Sequence, residues 1–267
     1  MSERMVPSFD GTQIYVRKDI PDQPRAIVVL VHGLCEHQGR YDYMVGALND
    51  RAIGVLRFDH RGHGKSDGEH SYFDEWSDPI DDTDMVLDIA KEQYPDLPVF
   101  LIGHSMGGYT VAAHGLRYPG RVDGVILSGA LVADNFKSFA DLPRDQDPHI
   151  TLPNELGDGV CSVAAIREDY VNDPLNRKTY TLGLCFALAD GIEYIKKNIA
   201  SYSENVLIMH GEKDSLVSVQ DSKDLFDSIS STDCQLKIYG GLFHEIFNET
   251  IRDEVIQDAY RWMLNRI

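Results

Sequence analysis

A serine in a glycine-framed turn is the first residue of this chain that could do chemistry. Residues 103–107 read GHSMG, which fits G-x-S-x-G with Ser105 at its centre. In this pattern a sharp turn between a strand and a helix exposes the hydroxyl, and the glycines let both elements approach without Cβ clashes. The pattern predicts that Ser105 is a nucleophile, although a glycine-rich loop with a chance serine would read the same over five residues.

A serine nucleophile needs two partners elsewhere in the chain. The hydroxyl requires a general base, and the base requires an orienting carboxylate. In α/β-hydrolases the order along the chain is serine, acid, histidine. Asp214 and His244 follow Ser105 in this order, and each lies in a loop just after a predicted strand. We therefore predict Ser105, Asp214 and His244 as a catalytic triad.

Other acids and histidines compete for these roles. Glu212 lies two residues before Asp214, and Asp221 falls in the next predicted helix. His104 directly precedes Ser105 and is too near in sequence to fold back as its base. The remaining candidate bases are His32, His60, His63 and His210.

The reaction of such a serine passes through a tetrahedral oxyanion, which backbone N–H groups stabilise. One donor is predicted to be the N–H of Met106, directly after the nucleophile. The second is predicted to be the N–H of Leu34, in the loop after the first long strand. Because both are backbone donors, their side chains are nearly free to vary.

The elements that must position these residues alternate between strand and helix over residues 26–128. This alternation predicts a parallel sheet with helices on both faces, and the apolar run 26–31 is typical of a strand buried on both faces. The predicted strands cover 14–16, 26–31, 53–58, 98–103, 122–127, 205–209 and 235–239. The predicted helices cover 40–50, 79–94, 109–118, 220–229 and 249–266.

The alternation is interrupted in the middle of the chain. From about residue 131 to 200 prolines break up the pattern, and helical pieces remain at 161–170 and 179–199. We predict an α/β-hydrolase core formed by residues 1–130 and 186–267. Residues 131–185 are predicted to form an inserted helical cap over the C-terminal edge of the sheet, where ligand clefts of such folds lie.

Composition excludes several function classes. The net charge of −18 argues against nucleic acid and anionic membranes as partners. Residues 1–11 lack the apolar core of a signal peptide, and no run approaches the ~20 apolar residues of a membrane helix. The four cysteines are scattered, which favours reduced thiols in a cytoplasmic protein, and no histidine has metal-ligand spacing. We expect no cofactor and no metal.

Six blocks of the sequence together resemble one known family. They are 32–41 (HGLCEHQGRY), 59–68 (DHRGHGKSDG), 103–108 (GHSMGG), 172–175 (NDPL), 210–214 (HGEKD) and 243–245 (FHE). In this combination they are similar to the monoglyceride lipase and lysophospholipase-like family of α/β-hydrolases. The resemblance runs across almost the whole chain and is weakest at 135–165.

The resemblance implies further site residues. Glu36 and Arg40 would line the polar end of the pocket, which holds the alcohol part of the ester, and Tyr170 would lie at the same wall. An ion pair between Glu36 and Arg40 that holds the oxyanion loop is the alternative, and both roles can coexist. His104 would form hydrogen bonds near the elbow. Where animal monoglyceride lipases carry a second histidine this chain has Phe247, which leaves the headgroup open.

The expected function is that of a serine carboxylester hydrolase, which cleaves a single-acyl lipid such as monoacylglycerol through an acyl-enzyme. A lysophospholipase and a general short- or medium-chain carboxylesterase are alternatives. A proline-iminopeptidase-like aminopeptidase would need cap acids such as Glu155, Asp158 or Glu168 to bind an amine. A binding module with vestigial chemistry is the last alternative.

The partners expected from the sequence are few. A small-molecule lipid ester is the expected substrate, and the sequence leaves the oligomeric state open. Apolar cap residues such as Leu142 and Phe139 predict at most a transient contact with a lipid interface.

Overall fold

The computed structural model describes residues 2–267. The strands are β1 (Ser2–Pro7), β2 (Gln13–Asp19), β3 (Ala26–Val31), β4 (Ile53–Phe58), β5 (Val99–His104), β6 (Gly124–Ser128), β7 (Thr151–Pro153), β8 (Thr179–Thr181), β9 (Val206–Gly211) and β10 (Cys234–Tyr239). The α-helices are α1 (Asp42–Asn49), α2 (Asp78–Gln93), α3 (Met106–Arg117), α4 (Ala164–Asn172), α5 (Leu182–Asn198), α6 (Val219–Ser228) and α7 (Arg252–Leu264).

Eight strands form one sheet in the order β1-β2-β4-β3-β5-β6-β9-β10. Among the described residues of this sheet, only the pairs β1–β2 and β2–β4 are antiparallel, so the predicted mostly parallel sheet is confirmed. The chain winds outward from β3 to β4 and then returns to β5 on the other side of β3. The crevice at such a switch point is where ligands bind in open α/β sheets. Here it brings the loop after β3 against the turn after β5.

Helices cover both faces of the sheet, as predicted. Helices α1 and α7 bury one face, with Met44, Leu48 and Trp262 in its core. Helices α2, α3, α5 and α6 contribute to the core of the opposite face. The central strands β3, β4, β5, β6 and β9 are buried along their whole length, which explains their continuous apolar runs.

The region between β6 and α5 carries little regular structure. It contains helix α4 and a two-stranded antiparallel ribbon formed by β7 and β8. The predicted cap boundary at residue 185 falls inside α5, whose buried side chains Leu184, Leu188 and Ile192 pack into the main core. The division of the chain into a core and a cap at 131–185 stays a prediction.

Several boundaries differ from the predicted ones. Strand β1 was not predicted, because its mostly exposed sequence SERMVP lacks an apolar pattern. The helical piece predicted from 179 begins three residues later, since residues 179–181 form β8. Within residues 2–267, no helix has the length and apolar character to cross a bilayer.

Candidate active site

Ser105 occupies the sharp turn between β5 and α3. Its backbone has φ 56° and ψ −117°, a conformation that costs a non-glycine residue on the order of 1–3 kcal/mol. A Cβ at Gly103 would lie 2.3 Å from the carbonyl oxygen of Gly107, and one at Gly107 would lie 2.2 Å from that of Val31. Glycine at both positions therefore permits the close packing that holds the serine in this strained turn.

Asp214 and His244 meet across the loops that follow β9 and β10. His244 Nδ1 lies 2.6 Å from Asp214 Oδ2, and His210 Nε2 lies 3.0 Å from the same oxygen. Asp214 Oδ1 accepts the backbone N–H groups of Leu216 and Val217, at 2.8 and 3.0 Å. Burial raises the pKa of Asp214, but the two histidines outweigh it and hold this pKa well below its usual range. The carboxylate is thus ionised and fully hydrogen-bonded.

The electrostatics around His244 favour a base that can hold a proton. Burial lowers the pKa of His244, but the Asp214 carboxylate, aided by Glu245 and Glu36, outweighs burial and raises it above 6.5. The ring of His104 lies 4.5 Å from that of His244. Burial and the neighbouring His244 lower the pKa of His104 to about 3, so this second ring stays neutral. His104 Nδ1 lies 3.1 Å from the carbonyl oxygen of Ser128, near the elbow.

A cavity of about 210 Å³ opens at Ser105. Its lining includes four of the predicted site residues, namely Leu34, Ser105, Met106 and His244. The other lining residues are mostly apolar and come from both the predicted core and the predicted cap: Leu131, Ser138, Phe139, Leu156, Tyr180, Leu188, Ser215, Leu216 and Val217. The predicted site residues and a set of apolar side chains therefore line one cavity.

The loop after β3 lies directly against the elbow. A Cβ at Gly33 would lie 3.1 Å from Ser105 Cβ. Across residues 2–267, neither the N–H of Leu34 nor that of Met106 donates a hydrogen bond to a protein acceptor. The Met106 N–H opens helix α3, where the first N–H groups have no partner within the helix. Both N–H groups therefore lack a protein acceptor, and their role as oxyanion donors stays a prediction.

Glu36 and Arg40 belong to a buried charged cluster beside this loop. Arg40 Nη1 donates to Glu36 Oε2 at 2.8 Å, and Arg40 also forms a bidentate pair with Glu245. Glu36 Oε1 accepts the N–H of Gly33 and the hydroxyl of Tyr41, both at 2.6 Å. This is the ion pair that the sequence offered as an alternative, extended by a second carboxylate. It fixes the loop that carries Leu34.

The remaining predicted pocket residues lie around this cluster rather than in the 210 Å³ cavity. Arg40 stacks 4.7 Å from the ring centre of Tyr170, whose hydroxyl accepts from Asn154 at 2.9 Å. Arg40 also lines an open depression of about 470 Å³ with Asp169, Asp173 and Asn248. Glu36, Arg40, His104 and Tyr170 do not line the cavity at Ser105, so their role as substrate contacts stays a prediction.

The competing acids have other partners. Glu212 is exposed and accepts the N–H of Gly241 at 3.0 Å. Asp221 is buried and accepts the backbone N–H groups of residues 133, 134 and 135, at the start of the predicted cap. Neither acid is among the partners of His244.

Two residues near the site were not predicted to act there. Glu245 pairs with Arg40, and its only sequence signal is its place next to His244. His210 shares the carboxylate of Asp214, although the sequence offered it as a rival base. In the described part of the chain, no group of three or more His, Cys, Asp or Glu side chains has the arrangement of a metal site.

Comparisons with known proteins agree with this fold. A family model described as serine aminopeptidase, S33 (Hydrolase_4) matches residues 22–251. A monoacylglycerol lipase of Mycolicibacterium smegmatis is 32% identical over 100% of this chain and 98% of its own length.

Two solved structures extend the likeness. The monoacylglycerol lipase of Paleococcus ferrophilus superposes with a TM-score of 0.84 at 27% identity, covering 95% of this chain and 99% of that one. A thermostable carboxyl esterase from Bacillus coagulans, solved with glycerol, superposes with a TM-score of 0.86 at 25% identity, covering 99% of this chain and 98% of that one. The predicted fold and family are confirmed: the chain belongs to the serine aminopeptidase S33 (Hydrolase_4) family and is a monoglyceride lipase-like serine ester hydrolase with the α/β-hydrolase fold.

Proposed function

We propose that this protein hydrolyses the ester of monoacylglycerols through an acyl-enzyme on Ser105. The observation that carries the proposal is that one apolar-walled cavity contains Ser105, His244, Leu34 and Met106. A nucleophile, its base and two oxyanion donors thus face the space that an acyl chain would occupy.

The geometry supports an ordinary sequence of steps. The Nδ1–H of His244 donates to Asp214, which leaves the lone pair of Nε2 to take the proton from the Ser105 hydroxyl. The serine oxygen attacks the ester carbonyl, and the N–H groups of Leu34 and Met106 stabilise the resulting oxyanion. The protonated His244 then gives its proton to the leaving alcohol. Water, activated by the same ring, releases the fatty acid.

The cavity favours an acyl group over a charged substrate. Among the described residues that line it, none carries a carboxylate or a basic group other than His244. Relatives named as monoacylglycerol lipases match 95–100% of the chain, and the esterase structure noted above contains glycerol. We assign the glycerol end of the substrate to the side of Glu36, Arg40 and Tyr170, next to the oxyanion loop.

The test is a substrate panel assayed with wild type and Ser105→Ala. Monolauroylglycerol, methyl laurate and lauroyl lysophosphatidylcholine share one acyl chain and differ only in headgroup. We expect wild type to turn over the glycerol ester fastest and Ser105→Ala to lose activity on all three esters. The control is Ser215→Ala, which alters another hydroxyl of the same cavity and keeps the triad. Unchanged turnover in Ser105→Ala would overturn the proposal.

An aminopeptidase is the second candidate, because the matching family model carries that description. Such an enzyme must bind a substrate amine, and the acids considered for that task, Glu155, Asp158 and Glu168, do not line the cavity at Ser105. An assay of monolauroylglycerol beside an amino-acid anilide separates the two functions. Faster release of the anilide would favour the peptidase.

The proposed setting is the cytoplasm. Cys35, Cys161, Cys185 and Cys234 are free thiols, which supports a reducing compartment. Substrate would enter beside Phe139, which lines the cavity and is only partly buried. A transient contact of this part of the protein with a lipid interface is part of the proposal.

A further inference from the structure

The orientation of one peptide group decides whether the oxyanion loop can work. In a trans peptide the C=O and the N–H point in opposite directions. The peptide between Gly33 and Leu34 therefore presents its N–H to Ser105 only while its carbonyl points away from the cavity. The Leu34 N–H has no acceptor within residues 2–267, so its own hydrogen bonds do not hold this orientation. Another group must hold the carbonyl.

His32 occupies the position to do so. Its Nδ1 lies 2.8 Å from the carbonyl oxygen of Gly33, and the side chain is completely buried. The backbone N–H of His60 donates to His32 Nε2 at 2.9 Å. An imidazole nitrogen that accepts a hydrogen bond carries no proton, so the proton of the neutral ring is on Nδ1. His32 is therefore fixed as the tautomer that donates to Gly33.

A second histidine closes this arrangement. His60 Nε2 lies 3.1 Å from the carbonyl oxygen of His32. The ring of each histidine thus forms a hydrogen bond with the backbone of the other. The two rings pack edge to face, with centres 4.6 Å apart. The pair joins the loop after β4, which carries His60, to the loop after β3, which carries Leu34.

We propose that His32 is a positioning residue for the oxyanion hole: its Nδ1–H holds the Gly33 carbonyl so that the Leu34 N–H faces Ser105, and His60 sets its tautomer. The inference rests on the proposed function, because it assigns a task within that reaction. It gives a role to the histidines at 32 and 60, which the triad does not use. Glu36 supports the same loop from the other side by accepting the N–H of Gly33.

Two substitutions separate the two hydrogen bonds of His32. In His32→Asn the amide nitrogen can take the place of Nδ1 and donate to Gly33, whereas the acceptor for His60 is lost. In His32→Gln the amide can take the place of Nε2 and accept from His60, whereas the donor to Gly33 is lost. His63→Gln is the matched control. His63 is as buried as His32, but its Nδ1 lies 3.1 Å from the carbonyl oxygen of Arg61 rather than near Gly33.

The readouts are kcat and KM for monolauroylglycerol and the inhibition constant of a dodecyl trifluoromethyl ketone, whose adduct with Ser105 carries an oxyanion. We expect His32→Gln to lower kcat and ketone affinity by about 100-fold, the loss expected for one oxyanion donor, with KM nearly unchanged. His32→Asn is expected to keep both within about 10-fold of wild type, and His63→Gln to keep the ketone affinity. Wild-type kcat and ketone affinity in His32→Gln would overturn the proposal, as would equal losses in His32→Gln and His32→Asn.

A measurement on the unmodified protein guards against variants that do not fold. Nitrogen-15 NMR of histidine-labelled wild type, assigned by comparison with the variants that fold and by through-space contacts to residue 33, reports which ring nitrogen carries the proton. We expect the Nδ1–H tautomer at neutral pH, and the Nε2–H tautomer would overturn the proposal. Labelling of Ser105 by a fluorophosphonate tests the proposed function separately. If wild type is labelled and active and His32→Gln keeps wild-type kcat and ketone affinity, the positioning role of His32 is refuted while the proposed function stands.

Discussion

His244 Nδ1 lies 2.6 Å from Asp214 Oδ2, although the two residues are 30 positions apart in the chain. The parallel pairing of β9 and β10 makes this contact possible, because it places the loops after both strands at one edge of the sheet. The bond fixes the tautomer of His244 and points Nε2 away from Asp214. In the proposed triad Asp214 therefore contributes orientation as well as charge.

Replacing this acid with its amide tests the arrangement. Asp214→Asn keeps the shape of the side chain but removes the charge and offers an N–H to Nδ1, which favours the wrong tautomer of His244. We expect kcat to fall by about 10⁴-fold with little change in KM. Steady-state kinetics with monolauroylglycerol measures the loss. Glu212→Gln, on the exposed side of the same loop, is the control and should retain wild-type kcat; a loss in Asp214→Asn that is no larger than in this control would contradict the role of Asp214.

The acid limb of the pH–rate profile reports on His244. The ring must be neutral to accept the serine proton, and nearby carboxylates raise its pKa above 6.5. Activity should therefore be lost as the pH falls through a midpoint above 6.5. Because Glu245 is one of those carboxylates, Glu245→Gln should move the midpoint to lower pH. A wild-type midpoint below 6.5 would be incompatible with the electrostatics of the site.

Much of the proposed catalytic framework follows from local sequence. The turn around Ser105 is predictable because its glycines meet a steric requirement within a few residues. Asp214 and His244 are predictable from their order and from their positions after apolar strands. Each of these signals is contained in a short stretch of chain.

The rest depends on contacts between distant segments, which no local pattern encodes. Arg40 and Glu245 pair across 205 positions, and the resemblance to a lipid hydrolase suggested only the nearer partner, Glu36. The ribbon of β7 and β8 has three residues in each strand, too few for a period-two pattern to stand out. Strand β1 is exposed and lies at the sheet edge, so its pairing with β2 rather than its hydrophobicity defines it.

The charged cluster at the oxyanion loop should be important for stability. Arg40→Met leaves Glu36 and Glu245, which are 3% and 5% exposed, without their counter-charge. Removing one partner of a buried ion pair costs about 3–5 kcal/mol, and we expect that loss in the free energy of unfolding from urea titration. The control is Arg144→Met, which breaks the exposed pair with Asp190 and should cost under about 1 kcal/mol. Equal losses of unfolding free energy in Arg40→Met and Arg144→Met would show that the buried ion pairs of Arg40 stabilise the protein no more than an exposed pair does.

The elbow glycines offer a steric test. Gly107→Ala places a methyl group 2.2 Å from the carbonyl oxygen of Val31, a backbone atom that cannot move aside without shifting β3. We expect a loss of stability of about 3 kcal/mol or more, at the upper end of the cost of overpacking. Gly46→Ala is the control, because its methyl group meets nothing within 4 Å on helix α1. It should stabilise the protein by up to about 1 kcal/mol, since alanine is the better helix former.

Thermal unfolding of both glycine variants measures the difference. A Gly107→Ala protein as stable as wild type would mean that the strand and helix at the elbow can separate freely.

Buried neutral histidines should make the protein sensitive to acid. Burial lowers the pKa of His60 and His104 to about 3 and that of His63 to about 4, and it holds that of His32 well below 6.5. Below pH 6.5 the unfolded chain binds protons at these rings while the folded chain does not. The free energy of unfolding therefore decreases as the pH is lowered, by up to about 1.4 kcal/mol per pH unit for each histidine.

The measurement is urea unfolding between pH 6.5 and 5, compared between wild type and His63→Gln. The variant lacks one of the four buried rings, so its free energy of unfolding should fall less steeply than that of wild type as the pH is lowered. Near pH 5 we expect the two slopes to differ by about 1.4 kcal/mol per pH unit. His70→Gln, the same substitution at an exposed histidine, is the matched control. The slope is informative even where His63→Gln is less stable overall, because a packing defect lowers stability equally at every pH. Parallel stability curves for wild type and His63→Gln would mean that the buried ring takes up its proton as readily as an exposed one.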